Sequence, residues 1–299
     1  MLKVENWFEE ACEYTSVPSQ LAIDVVEKRD AQARKEFFQK YQKGNEYSAE
    51  IKAAREKGTR KDWMQSWGEQ YYNIFKMDLI KVVHERNYTA RFLLHNYSQL
   101  AAKLGRRDLD VLDFGCGSGY CCRVLLGEHP QARVDLCDVK GVVLDYAHWR
   151  CQRLNQNVGK FEITDVNPIP ISKKYDIIFC YTVLEHVWDP LDIAKQFHGS
   201  LKEGGLLIET YGGKTGQTVD PEGEDCQQAW DQRDNVLAFF DKSFKRVRGS
   251  NDAEEIRVWR KAAVPLSSTR RLSNNLVNHV WSARRKLIQI LKPSSQHKH

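Results

Sequence analysis

The ten residues from Asp110 to Gly119, DVLDFGCGSG, limit what this chain can fold into more than any other stretch. Val111, Leu112 and Phe114 form a short apolar run of the kind that makes a buried strand. Glycines follow at alternate positions, Gly115, Gly117 and Gly119, and then YCCRVLLGEH, a helix pattern. A strand that turns through glycines into a helix is how an open α/β sheet presents a ligand at the carboxyl end of a strand. Glycine suits such a turn because a Cβ would collide with the ligand. The spacing narrows the ligand further. A dinucleotide turn reads G-x-G-x-x-G and aims a helix N-terminus at a pyrophosphate. Here the third glycine comes one residue early, and Tyr120 stands at the matching position. The acid before the turn, Asp113, would repel a pyrophosphate but could hold an ammonium group.

The rest of the pattern lies downstream. A second strand is expected over Arg133 to Cys137, ended by Asp138, about 20 residues on, where an acid can accept ribose hydroxyls. The segment VKGVVLDYAHW follows, with Leu144 and Ala147. A third strand, Lys160 to Thr164, ends at Asp165-Val166, and a fourth, Tyr175 to Cys180, leads into YTVLEHVWDP. A helix from about Leu191 to Leu201 meets Lys202-Glu203-Gly204-Gly205 and a fifth strand, Leu206 to Thr210. A helix over about Asp225 to Phe240 precedes two strands, Phe244 to Val247 and Glu255 to Trp259, whose connection carries Gly249-Ser250-Asn251-Asp252, a hairpin signal.

Over roughly residues 108 to 261 these phrases resemble the class I S-adenosylmethionine (SAM)-dependent methyltransferases, small-molecule type. The resemblance implies an α/β fold: a seven-stranded, mostly parallel, doubly wound sheet with an antiparallel last strand, plus an N-terminal helical extension. It implies SAM as cofactor, held by Asp113, Gly115, Cys116, Gly117, Asp138, Val139, Asp165, Val166 and Tyr181. Asp165 would accept the adenine amino group, and Tyr181 to Trp188 would build the pocket near the sulfonium. Glu185 and His186 are the candidate catalytic residues there. His186 can act as a base because an imidazole titrates near neutral pH. The bland alternative is that the pair only shapes the turn. Some relatives hold a divalent ion with a Glu three residues before the Glu-His pair. This chain has Thr182 there, so no metal is expected. The [Asn/Asp]-Pro-Pro-[Tyr/Phe] turn of many N-methyltransferases is not matched by Cys180-Tyr181-Thr182-Val183. The implied function is methyl transfer to a small-molecule acceptor at oxygen, the alternative being an inactive binding or scaffold protein.

Charge bears on partners. The net charge is +5, but residues 262–299 carry seven basic residues and no acid, leaving −2 for residues 1–261. A nucleic-acid substrate would need a basic face on the domain itself, so none is expected. The eight cysteines include no C-x-x-C pair; Cys116, Cys137 and Cys180 fall on strands or their ends and Cys121 and Cys122 are adjacent, which reads as reduced, mostly buried thiols in a cytoplasmic protein. The opening MLKVENWFEEACEY is acidic and amphipathic, unlike a signal peptide.

The expected domains are a helical cap over 1–105, a SAM-binding domain over 106–261 and a basic tail over 262–299. In the cap, Ser16-Val17-Pro18 starts a helix, and Trp63, Trp67, Tyr71 and Phe75 step by four along another. Those rings either pack helices together or line a pocket. In the tail, Leu272, Leu276, Val280, Leu287, Ile288 and Leu291 share one helical face, flanked by Arg284, Arg285 and Lys286. That helix is compatible with an anionic membrane surface and a lipid-linked substrate, at the inner face of a membrane. It is equally compatible with docking on its own domain or with disorder.

Overall fold

The computed structural model describes residues 7–20, 22, 108–155, 157–163, 173–212, 227–249, 256–262, 274 and 276–283. The expected helices between residues 23 and 107, with the Trp63 to Phe75 stripe, lie outside the described residues, as do Asp165 and Val166. The strands form a seven-stranded sheet in the order β3-β2-β1-β4-β5-β7-β6. The chain divides into two compact units, residues 1–170 and 171–299.

In the first unit, β1 (Asp110–Phe114) leads to α2 (Tyr120–Glu128), β2 (Arg133–Val139), α3 (Val142–Gln152) and β3 (Val158–Ile163), preceded by α1 (Trp7–Thr15). β1 and β2 pair in parallel, Asp110 opposite Arg133 through Phe114 opposite Cys137, and β2 pairs in parallel with β3. Both central strands are nearly unbroken runs of buried side chains, as a parallel sheet covered on two faces requires. α2 buries every residue from Tyr120 to Leu126, although its sequence includes Arg123. α1 lies along α3. The Tyr14 ring sits 5.2 Å from both Tyr146 and Trp149, and Glu13 pairs with Arg153 at 2.7 Å. Ser16, at φ 57°, ends α1, and the Ala22 amide donates to Pro18 O at 3.0 Å, so the next helix opens at the proline as expected.

In the second unit, β4 (Tyr175–Tyr181), a 3₁₀ turn (Leu184–His186), α4 (Pro190–Ser200), β5 (Leu201–Thr210), α5 (Gln227–Ser243), β6 (Phe244–Arg248) and β7 (Arg257–Lys261) follow in order. β4 and β5 are parallel, while β7 runs antiparallel to both β5 and β6. The last strand is therefore the antiparallel one, inserted between two parallel neighbours.

β5 departs from expectation by starting at Leu201 rather than Leu206. Its pairing with β4 jumps from Tyr175–Leu201 to Ile177–Leu206, so Lys202 to Gly205 form an irregularity inside the strand rather than a turn before it. Gly204 takes φ 77°, and a Cβ on Gly205 would lie 2.9 Å from Lys202 O and 3.1 Å from Asp176 O. The chain needs glycine at both positions, for opposite reasons.

The tail docks on its own domain, one of the alternatives expected, but not through its apolar face. Residues 276–283 are helical, and Asn274 is buried against the second unit. Asn274 Oδ1 accepts the Arg246 amide at 2.8 Å, while Nδ2 donates to Phe244 O at 2.9 Å and Asp241 O at 3.1 Å. Asn278 Oδ1 accepts from Arg246 Nη1 at 3.3 Å, and the Arg248 guanidinium stands 5.0 Å over the Trp281 ring. The helix thus docks through residues 274, 278 and 281, spaced as one helical face. Leu276 and Val280 of the expected apolar face are instead 64% and 55% exposed. The reason is the α5–β6 corner, whose backbone groups need polar partners that leucine cannot supply. Asn274→Ala should therefore cost about 2 kcal/mol, since three bonds go and buried backbone groups lose their partner. Thermal unfolding checks this, and an unchanged midpoint would show that the tail does not dock.

Candidate functional site

The first unit carries the candidate donor residues, grouped around the glycine turn. The Gly115 and Cys116 amides both donate to Cys137 O, at 2.7 and 3.2 Å, and the Gly119 amide donates to Cys116 O at 2.8 Å. Gly115, Gly117 and Gly119 take φ of 67°, 50° and 72°. All three are left-handed, a backbone that L side chains rarely adopt. Their surroundings then separate their roles. A Cβ on Gly119 would stand 2.9 Å from Ala147 Cβ, so this glycine brings α2 against α3. A Cβ on Gly117 would meet nothing within 4 Å. Among the described residues, the space over Gly117 is open.

Asp138, at the end of β2, bridges the turn and its own strand. Oδ2 accepts the Gly117 amide and Oδ1 the Val139 amide, each at 2.7 Å. Each oxygen keeps a lone pair for a further donor. Burial pushes the carboxyl up to about 6, against the pull of the two amides. Asp113 is 2% exposed and is bonded by both the thiol and the backbone amide of Cys122, in the first turn of α2. Among the described residues its Oδ2 has no hydrogen-bond partner. Burial, reinforced by the repulsion of Asp138, raises its carboxyl to about 7. Cys116 is buried in the turn and its thiol is pushed well up by burial, so it contributes backbone rather than reactive sulfur.

The second unit holds the other candidates. β4 ends at Tyr181, and Thr182 follows at φ 52°, a left-handed backbone unfavourable for a β-branched residue. Its amide donates to Thr210 Oγ1 at 2.8 Å, and its hydroxyl donates to Tyr181 O at 2.7 Å. Such a strained position directly after the strand is typical of a functional turn. Glu185 and His186 lie in the 3₁₀ turn, where the His186 amide donates to Val183 O at 2.9 Å. Glu185 is buried, and a Cβ on Gly212 would sit 2.6 Å from its Oε1, so Gly212 makes room for this carboxylate. His186 is half-buried. Among the described residues, no group of three or more His, Cys, Asp or Glu could hold a metal ion.

Two features escape a reading of the sequence. The Thr182–Thr210 bond joins the ends of two strands and has no sequence signature. Arg150 does have one. It falls in phase with the buried Val143, Leu144, Ala147 and Cys151 of α3, is fully buried, and donates from Nη1 to Ser118 O in the glycine turn at 2.9 Å.

The residues present fit SAM. The orphaned Asp113 oxygen can take an ammonium, Asp138 has free lone pairs for ribose hydroxyls, and the open space over Gly117 admits the ligand. This sheet order, with its left-handed glycine turn and an acid ending β2, defines a class I SAM-dependent methyltransferase. The profile of the methyltransferase-domain family matches residues 83–260, and the chain belongs to that family. Among curated relatives, the malonyl-[acyl-carrier protein] O-methyltransferase of Acetivibrio thermocellus is 31% identical over 108 residues, 36% of this chain and 37% of that one. Malonyl-[acyl-carrier protein] O-methyltransferase 1 of Ilyobacter polytropus is 25% identical over 183 residues, 56% of this chain and 67% of that one. Magnesium protoporphyrin IX methyltransferase from Synechocystis PCC 6803, solved with bound SAM, is 18% identical over 61% of this chain and 84% of that one, with a TM-score of 0.43.

Proposed function

We propose that this protein transfers the methyl group of SAM to an oxygen of a small-molecule acceptor. The observation that carries the donor half is the Asp138 carboxylate, fixed by the Gly117 and Val139 amides beside open space. When bound, SAM supplies an electrophilic methyl carbon on its sulfonium. The protein's own part is positioning. Asp138 accepts the ribose hydroxyls, Asp113 faces the ammonium, and Gly117 leaves room for the ligand. Aligned and close reactants remove most of the entropic barrier of such a displacement. A hydroxyl acceptor must also lose its proton, and His186 and Glu185 are the groups proposed to take it. Oxygen as the acceptor atom is supported by two of the relatives, which are named O-methyltransferases. Incubation with methyl-labelled SAM and a pool of small hydroxyl and carboxyl metabolites tests the reading, with RNA as a separate arm. Label in RNA alone would overturn the small-molecule acceptor, and binding of SAM without any labelled product would make this a binding module.

The two carboxyls set a pH dependence. Both sit above the ordinary carboxylate range in the folded protein, so the unliganded fold favours their protonated forms, and that contribution is lost as pH rises through about 6 and about 7. The ligand wants them ionised. SAM affinity should therefore rise with pH across this window, by about a hundredfold between pH 5.5 and 7.5 if both groups must ionise, with protons released on binding. Calorimetry in two buffers of different ionisation enthalpy measures that release, and its absence would remove both carboxyls from the ligand.

A lipid-linked acceptor is favoured by the exposed Leu276 and Val280, followed in sequence by Arg284, Arg285 and Lys286. Each basic residue at an anionic surface adds about 1 kcal/mol, screened by salt. The protein should float with anionic vesicles at low salt and less at high salt. Failure to float at any salt would remove the lipid-surface reading.

A further inference from the structure

The first unit contains a buried ionic cluster that joins α1 to the glycine turn. Glu10, on α1, takes Arg123 Nη2 on Oε1 at 2.8 Å and faces Arg150 Nη2 from Oε2 at 3.3 Å. The two arginine side chains are 9% and 0% exposed. Arg123 leaves its Nε and Nη1 without hydrogen-bond partners. Arg150 donates its other arm, Nη1, to Ser118 O, and Ser118 itself is 2% exposed between Gly117 and Gly119. Among the described residues, Glu10 thus stands against two buried guanidiniums, hydrogen-bonded to Arg123 and ion-paired with Arg150, and Arg150 also grips the backbone of the donor turn.

We propose that Glu10 is a positioning residue for SAM, acting through Arg150 on the carbonyl of Ser118, so that docking of α1 fixes the glycine turn. The inference rests on the donor site proposed above. The chemistry follows from the fork of the guanidinium. An arginine held by a carboxylate on one arm presents the other in one plane and direction, whereas the same arginine without its anion must find other acceptors. A buried guanidinium that has lost its carboxylate is strongly unfavourable, and the cluster relaxes toward solvent or toward other backbone carbonyls. Either movement releases Ser118 O. The Gly117 amide, which bonds Asp138, lies one residue away. Tyr14, on the same helix, packs on Tyr146, over whose ring the Arg150 guanidinium stands at 5.3 Å, but Glu13 and Arg153 pair at the exposed flank of α1 at 2.7 Å. That pair separates docking of the helix from orientation of the arginine.

The test uses the full chain and three variants, Glu10→Gln, Glu10→Asp and Glu13→Ala. Hydrogen exchange of the Gly117 and Gly119 amides is read without ligand, and S-adenosylhomocysteine (SAH) binding by calorimetry. Glu10→Gln should speed exchange in the turn and raise the SAH dissociation constant about tenfold, as loss of one charge-assisted bond implies. Glu10→Asp should recover most of both, and Glu13→Ala should match wild type. Exchange and affinity in Glu10→Gln equal to wild type would overturn the proposal. So would a lower melting temperature with unchanged exchange, which would make Glu10 a packing residue only. If the wild-type protein binds neither SAM nor SAH, the donor reading fails by itself, and exchange in the turn still decides the role of Glu10.

Discussion

Glu209→Ala should lower the unfolding free energy by about 3–5 kcal/mol, the cost of leaving a buried charge without its partner. Glu209 on β5 faces Arg257 on β7 in register. Arg257 Nε donates to Oε1 at 2.6 Å and Nη2 to Oε2 at 2.9 Å, a bidentate fork, and Trp259 Nε1 donates to the same Oε1 at 2.8 Å. All three residues are 0% exposed. The carboxylate therefore satisfies three donors that water cannot reach, and alanine would strand a guanidinium and an indole N–H together. In a protein of this size the loss corresponds to a fall of roughly 10 °C in melting temperature, read by circular dichroism. The control is the double variant Glu209→Leu/Arg257→Met. Removing both charges should restore much of the stability, because a well-packed apolar pair can replace a buried ion pair at little cost, less about 1–3 kcal/mol for the Trp259 indole N–H that still lacks its acceptor. A single variant that melts like wild type would show that Glu209 does not bridge the strands. The network also reaches function. Thr210, the next residue, holds the left-handed Thr182, so a loosened β5 end should relax that turn as well.

What the sequence discloses follows from which physics leaves a mark in it. β1 and its turn are legible because a run of buried apolar residues and a glycine spacing are both local. The positions of Asp113 and Asp138 near the ends of β1 and β2 are legible because strand ends are where α/β sheets present polar groups, while their ligand roles remain proposals. The bulge in β5 is not, since Gly204 and Gly205 read as a turn until Tyr175 is seen opposite Leu201. The tail is misleading for a related reason. Periodicity marks apolar faces, whereas this helix docks through asparagines that satisfy backbone groups of the α5–β6 corner. Likewise, the engagement of both Asp138 oxygens by amides cannot be seen in a strand-end acid. Arg150 is within reach, because a charged residue in phase with an apolar stripe must find a buried partner.

Asp138→Ala is the second variant with a large expected effect, and here the measured quantity is affinity. Two ribose hydroxyls donating to one carboxylate are charge-assisted bonds, each worth roughly 1.5–3 kcal/mol. Loss of either alone weakens SAM binding at least tenfold, since about 1.4 kcal/mol is tenfold. The geometry adds a second loss, because an alanine side chain would also leave the Gly117 and Val139 amides without their acceptor. The turn would then have to be ordered by the ligand, at a further cost in affinity. Asp138→Asn distinguishes the two contributions. An amide keeps one acceptor oxygen but points its NH₂ at one of the two backbone N–H groups, so it cannot satisfy both. It also removes a group whose ionised form is disfavoured by burial. Relative to wild type, the unliganded Asn variant should therefore gain stability as pH rises through about 6, while still binding SAH more weakly. Calorimetry with SAH at pH 7.5, beside thermal unfolding at pH 5 and 8, reads both quantities. An unchanged dissociation constant in the alanine variant would mean that Asp138 serves the turn alone and that the ribose is held by other groups. Opposite shifts in stability and affinity in the asparagine variant would instead identify a carboxylate that the fold keeps ionised at a cost and the ligand requires.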